Sequence, residues 1–430
     1  MADAPDATAT PRPPAATTNI WLSGATMWAV TAIGITQIIA WGTSFYALGV
    51  LAEPMMRDLG WSKTLIFAGF TVSVLASSVV SIPVGRALDA YGARLVITAG
   101  FAALAASLYL LSWVDEIWQY FVVWPIIGIA MRLTLYDAAF AAMVQVDPAN
   151  GRRAIAYLTL WGGFASTVGW PVGHWLADAV GWRSTFQWYA IANLAICAPL
   201  AWTSLKAHFL PSTPAPETAK PSEATSDSQP SAPAPLTGSA RRIAMILFSL
   251  VMSVNAYLFS VGAVHLVGIL EATGLAAGVA VGIAALKGVA QVTGRLWELV
   301  FGRHVAPINL GRIATVLVPV SLSILLALGG SYEAALAFVL VFGLSNGIIT
   351  VVRGAVPLAL FGPDGYGRIL GILATPVLLC NAVSPVVFAW LVDTFGMQAA
   401  TWSLMATALV GLVMMELLAA WYRSVQATAG

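Results

Sequence analysis

The sequence predicts an all-α membrane protein with twelve transmembrane helices in two pseudo-symmetric six-helix bundles. Three observations predict it. Charged residues are 9% of the 430-residue chain and hydrophobic ones 59%, where a soluble domain carries roughly 25% charged residues; a mean hydropathy of +0.84 agrees. Six apolar runs, a Pro/Ser/Ala/Thr-rich segment and six further runs follow one another along the chain. The two sets of six match at a single fixed shift.

Taken in order, residues 1–22 are rich in Ala, Pro and Thr and are expected to form a disordered cytoplasmic tail. Apolar runs near 27–51, 64–84, 95–113, 119–146, 154–178 and 185–204 make an N-terminal bundle over 23–204, a span needing ~20 mostly apolar residues. Residues 205–241 cannot bury a core and read as a flexible cytoplasmic linker. Runs near 242–268, 274–299, 311–329, 334–361, 369–393 and 399–422 make a C-terminal bundle over 242–424.

The repeat is visible residue by residue. The shift that puts Gly128 on Gly343 also puts Arg153 on Arg368, and Trp175-Leu-Ala-Asp178 on Trp390-Leu-Val-Asp393. Parallel halves imply a pseudo-twofold axis along the membrane normal, with a site on that axis reached alternately from the two sides. With both termini inside, 13 Lys and Arg fall on the cytoplasmic side and 3 on the outer side, as the positive-inside rule requires. The expected location is the plasma (bacterial inner) membrane.

Composition also excludes functions. A net charge of +1 offers no basic surface for nucleic acid. Cys197 and Cys380 lie in apolar runs and read as packing residues. The chain has no G-x-x-x-x-G-K-[ST] loop, no His-rich metal set and no G-x-S-x-G elbow. No enzyme, catalytic residue, metal or cofactor is expected.

The chemistry-bearing candidates are the charges inside spans. Arg132 and Asp137 sit mid-run in Val123–Val146, where each charge costs roughly 2.5–3.5 kcal/mol even on lenient insertion scales. That helix should therefore face other helices or a wet cavity, where Arg132 is expected to bind substrate, the alternative being a pair with a backbone carbonyl or an acid on a neighbouring helix. Arg132 and Asp137 are five residues apart, ~140° around a helix at ~100° per residue, so they are not expected to pair. Asp137, the deep acid apart from Glu416 near the end of helix twelve, is left two roles: pairing with Arg353 or carrying a coupling proton. Lys287, Gln291 and Arg295 are spaced i, i+4, i+8 and share one face of helix eight. Lys287 is expected near the bilayer middle and Arg295 near the cytoplasmic edge. The stripe would bind an anion; alternatively Lys287 makes a structural ion pair and Arg295 snorkels to the inner surface. Tyr46, Asn255 and Tyr257 could hydrogen-bond a ligand or serve helix–helix packing.

Between helices two and three stands Gly85-Arg-Ala-Leu-Asp89-Ala-Tyr-Gly92-Ala-Arg94. It resembles the loop signature of the major facilitator superfamily, with Ala90 and Ala93 where basic residues are often found. A decayed copy, Gly294-Arg295-Leu-Trp-Glu298 then Gly302-Arg303, follows in the second half. The resemblance implies secondary transport by alternating access, with Gly85, Asp89, Gly92 and Arg94 as a conformational loop motif. Residues 43–62, TSFYALGVLAEPMMRDLGWS, and the set Arg152-Arg153, Gly162-Gly163 and Gly181-Trp-Arg183 are similar to bacterial members related to monocarboxylate and oxalate/formate carriers. There a helix-eight cation holds the substrate carboxylate and a nearby acid can couple protons. Here Gln291 stands where that acid is expected. The intramembrane charges lean positive, so the expected substrate is a small organic anion, a carboxylate, moved with proton symport or anion exchange. The alternative is efflux of drugs or toxic compounds within the same superfamily, since Gly169-Trp-Pro171-Val-Gly173 partly resembles a drug/proton antiporter signature. The expected partners are that small molecule and the bilayer. A monomer suffices, because a duplicated chain supplies its own axis.

Overall fold

The computed structural model describes residues 22–205 and 235–429. The expected tail apart from Leu22, and the linker apart from its two ends, lie outside the described residues. Among the described residues the secondary structure is helical, with no strand. Eight apolar helices are long enough to cross a membrane, or nine when Lys63–Val79 and Ser81–Tyr91, bent by 53°, count as one span.

Glycine divides the longer runs further. Tyr366–Ala429 is broken at Gly396 (φ 83°, ψ 161°), and Ala165–Ala192 at Gly181 (φ 78°, ψ 165°). Both glycines adopt a backbone region essentially closed to other residues. The shift that puts Gly128 on Gly343 also puts Gly181 on Gly396, so the repeat seen in the sequence extends to the backbone. With helix six continuing through Asn193–Cys197 to Ala198–Ser204, twelve spans result. Helix seven starts at Gly238, ahead of residue 242. Ala at Gly181 or Gly396 should cost about 1–3 kcal/mol, read as a lower melting temperature in detergent. Unchanged melting of both variants would show that the breaks relax without strain.

Small residues let the helices approach. A Cβ on Gly128 of helix four would lie 2.0 Å from the Ser73 carbonyl oxygen of helix two. A Cβ on Gly343 of helix ten would lie 2.8 Å from the Lys287 carbonyl of helix eight, and one on Gly347 2.1 Å from that of Gln291. Apolar side chains gain little by leaving lipid, so packing of this kind carries helix association in membranes. It also explains why Gly128 and Gly343 match across the halves: each sits at the equivalent crossing.

The N-terminal core is built on Phe101, Tyr120, Trp124, Phe140 and Phe186, and the C-terminal half buries Phe248 and Phe388. Trp28, Trp188, Val386 and Leu417 point outward, each about half exposed or more. Such a belt is suited to acyl chains rather than water.

Candidate functional site

The halves meet at the end of the bundle that carries the start of helix one and the Gly85–Arg94 loop. Asp89 accepts hydrogen bonds from the backbone N–H of Gly367 (2.9 Å) and Arg368 (2.7 Å), at the start of helix eleven. A carboxylate there satisfies donors that a helix N-terminus leaves free and complements its positive dipole end. Gly85 admits this contact, since a Cβ would lie 2.3 Å from the Gly367 carbonyl. Gly92 takes φ 79°, ψ 151°, as only glycine readily can. The Arg94 guanidinium stacks over Trp202 at 3.9 Å. On the other flank Arg152 donates to Glu298 (3.2 Å) and to the carbonyls of Gly302 (2.7 Å) and Val305 (2.9 Å). Glu298 is almost fully buried in helix eight, a deep acid beyond Asp137 and Glu416.

Deeper in, Ser81 and Ser78 of helix two donate to the Gly371 and Thr375 carbonyls of helix eleven at 2.9 Å each. Asp137 is held by two arginines, Arg132 from its own span and Arg353 from the opposite half. The expectation that Arg132 and Asp137 do not pair is wrong, and the reason is local. Helix four stops at Thr134, Leu135 turns extended (ψ −169°), and a new helix starts at Tyr136. Counting ~100° per residue fails across that break. Asp137 now lies in the first turn of the new helix, where a carboxylate is favoured. The break also frees the Thr134 carbonyl, which accepts 2.8 Å from Gln37 Nε2 of helix one; burial requires some such partner.

Arg295 does not snorkel to a surface. It is 7% exposed and donates from Nη1 to the Thr159 carbonyl of helix five, in the other half, at 2.8 Å. Two adjacent glycines make the room. A Cβ on Gly163 would stand 2.6 Å from Arg295 Nη1, and one on Gly162 2.1 Å from the Tyr136 hydroxyl. Tyr136 packs on Trp41 (5.2 Å between centroids), and Trp41 on Tyr46 (6.0 Å). Trp41 opens a π-helical turn, Trp41–Phe45, that widens helix one; such turns frequently mark functional sites. A second widened turn, Asn193–Cys197, lies on helix six, and Asn193 Nδ2 bridges the two by donating to Thr43 Oγ1 at 2.9 Å.

The structure thus brings Tyr46 and Arg295 into one neighbourhood. Lys287 instead donates to the Gly262 carbonyl of helix seven (2.9 Å) and faces the Phe342 ring. It lies ~12 Å from Arg295 along helix eight at ~1.5 Å per residue. The Gln291 carbonyl abuts Gly347. Asn255 donates to the Val251 carbonyl of its own helix, and Tyr257 neighbours Ser403. Trp41 and Tyr136 escaped the sequence reading because an aromatic residue in an apolar run looks like packing.

A model of the Major Facilitator Superfamily matches residues 33–322. The chain belongs to the major facilitator superfamily. Three solved structures share its fold. The human organic anion transporter MFSD10 (TETRAN) is 16% identical, with a TM-score of 0.69 over 91% of this chain and 99% of that one. The proton:xylose symporter XylE is 12% identical, at 0.67 over 92% and 96%. FucP in the outward conformation is 15% identical, at 0.69 over 92% and 99%. A curated relative, the Pseudomonas aeruginosa protein called transcription regulatory protein OpdE, is 24% identical over 174 residues; the match spans 40% of this chain and 42% of that protein. As a member of the superfamily, this chain is a multi-pass membrane transporter of small molecules.

Proposed function

We propose that this superfamily member moves a small organic anion, a carboxylate, across the plasma membrane by alternating access, with both termini cytoplasmic. One observation carries the reading. Arg295 is a buried guanidinium at the junction of the halves, and among the described residues it has no acidic partner. A desolvated charge is costly unless paired, and a substrate carboxylate would pair it. Arg132 and Arg353 share Asp137, which suits a structural charge knot more than a ligand site. Lys287, which meets the Gly262 carbonyl and the Phe342 ring, suits the entry path to Arg295.

The hydrogen bonds between the halves support the same cycle. They come from Ser78, Ser81, Asp89, Arg152, Arg295 and Arg353, at the loop-motif end and the middle of the bundle. A conformation shut toward the cytoplasm fits that distribution. Asp89→Ala should then favour the opposite conformation. A cysteine at Ser81, buried where helix two meets helix eleven, should label with a membrane-impermeant thiol reagent from the linker side several-fold faster in that variant than beside native Asp89. Equal labelling would remove Asp89 from the gate.

The reading is tested by counterflow in proteoliposomes loaded with one carboxylate and given another from outside. Exchange that saturates and needs a carboxylate on both sides is the expected result. Transport of cationic drugs with indifference to carboxylates would favour the efflux alternative.

A further inference from the structure

Among the described residues, three neighbouring buried groups that can donate have no hydrogen-bond partner: Trp41 Nε1, the Tyr136 hydroxyl and Arg295 Nε; Arg132 Nε and Asp137 Oδ1 are also unpaired, but within the ion-paired knot. Tyr136 is 8% exposed and Arg295 7%. The Arg295 guanidinium lies beside the Tyr136 hydroxyl without making a hydrogen bond of good geometry to it. Buried donors in native proteins are nearly always satisfied, so each exception calls for an explanation. Three on side chains that adjoin one another call for a shared acceptor, and a carboxylate supplies two oxygens and about four acceptor positions. The Thr159 carbonyl occupies one Arg295 N–H in the present conformation. It is a neutral acceptor, and a carboxylate makes a charge-assisted bond that is roughly twice as strong.

What surrounds these donors is aromatic. Trp41 contacts Phe45 (4.9 Å), Tyr46 (6.0 Å) and Tyr136 (5.2 Å) between centroids, and Tyr46 meets Trp170 edge-on at 5.9 Å. Trp41, Phe45 and Tyr46 all belong to or flank the widened turn of helix one, so a small change there moves three rings together. Gly162 and Gly163 leave no side chain between the rings and the guanidinium. Rings in this arrangement offer faces and edges to a flat partner; an aliphatic chain would use only their area.

We propose that the carried anion is a flat aromatic monocarboxylate. Its carboxylate displaces the Thr159 carbonyl from Arg295 and takes the free N–H and O–H of Trp41 and Tyr136. Its ring lies against the packed Trp41–Tyr46–Tyr136 group on the side that faces Arg295. One guanidinium without an acid partner matches one carboxylate. The donors are closed off in the present conformation, so the ligand reaches them as the halves part at the Arg295–Thr159 contact. This inference rests on the carboxylate-transporter reading above.

The test is equilibrium binding to the purified full chain in nanodiscs, with benzoate, cyclohexanecarboxylate, acetate and benzamide as probes. Benzoate should bind at least tenfold more tightly than cyclohexanecarboxylate, which has the same charge and similar size but no flat ring. Benzamide, flat but uncharged, should not compete. Trp41→Phe and Tyr136→Phe keep a ring and remove one donor each, and each should weaken benzoate about tenfold, as expected for a hydrogen bond to a charged group. Equal affinity for the two ring acids, or for acetate, overturns the aromatic assignment and leaves carboxylate transport standing. Competition by benzamide as strong as by benzoate, or no binding by any of the three acids, overturns both. The wild-type comparison needs no variant to fold, so the aromatic assignment stays exposed to refutation on its own.

Discussion

Arg295→Gln is expected to abolish carboxylate counterflow, lowering the rate at least ~100-fold at a fixed low substrate concentration. Truncating one partner of a buried, hydrogen-bonded charge pair costs about 2–5 kcal/mol, and each 1.4 kcal/mol is a factor of ten. Gln removes the charge and ends two bonds short of Nη1, so it gives up the neutral Thr159 contact together with the anion's counter-charge, and the ion pairs and carboxylate contacts elsewhere between the halves remain. Arg295→Lys should fall between, because an ammonium keeps the charge and loses the planar fork. The measurement is initial-rate exchange in proteoliposomes, with elution profile and melting temperature as controls for folding. Full-rate exchange by Arg295→Gln would end the claim that this guanidinium meets the substrate.

Asp137→Ala should be the most damaging change to stability. One carboxylate serves Arg132 and Arg353, and its side chain is 6% exposed, like the 5% of Arg132. Removing it strands a buried guanidinium and leaves two like charges facing each other. Breaking a buried pair costs about 3–5 kcal/mol, and in a membrane the stranded charge has no water to turn to. Arg353 is 28% exposed and can turn away, so the burden falls on Arg132. The loss should appear as a melting temperature lower by on the order of 10 °C, at ~2–4 °C per kcal/mol for large domains. The double variant Arg132→Met, Asp137→Leu should recover much of it, since apolar replacement of a buried pair is often neutral. Should Asp137→Ala melt with wild type, the knot is not structural, and the carboxylate would be free to serve as a proton carrier.

The two variants ask different things of the same membrane layer. Arg295 is buried with neutral partners, so its removal should spare the fold and stop transport. Asp137 is buried with two cations, so its removal should loosen the fold whatever the substrate. A pair of variants behaving in the reverse way would exchange the roles proposed for the two groups.

How far the chain could be read without coordinates is clear from particular residues. Gly85, Asp89 and Gly92 announced a tight, charged loop, because glycine and a capping acid have local meaning wherever they occur. Arg295 is visible as a charge in an apolar run, yet its burial against the other half is not. A helical repeat gives the face of a side chain but not what stands opposite, and here Gly162 and Gly163, from the other half of the chain, open the space it fills. Trp41 and Tyr136 carried no signal, since an unsatisfied donor is defined only by the absence of neighbours. The Arg132–Asp137 pair was missed because one extended residue, Leu135, shifts the phase of everything after it.

By itself the sequence determined that the protein lives in lipid, that it is duplicated, and where its glycine-marked turns fall. Hydropathy, a repeat at one fixed shift and glycine chemistry are properties of the chain, readable one position at a time. Only the tertiary structure decided which charges neutralise one another and which are left without a partner. That depends on distances between helices far apart in sequence, and in a low-dielectric interior those distances separate a structural ion pair from a site awaiting its ligand.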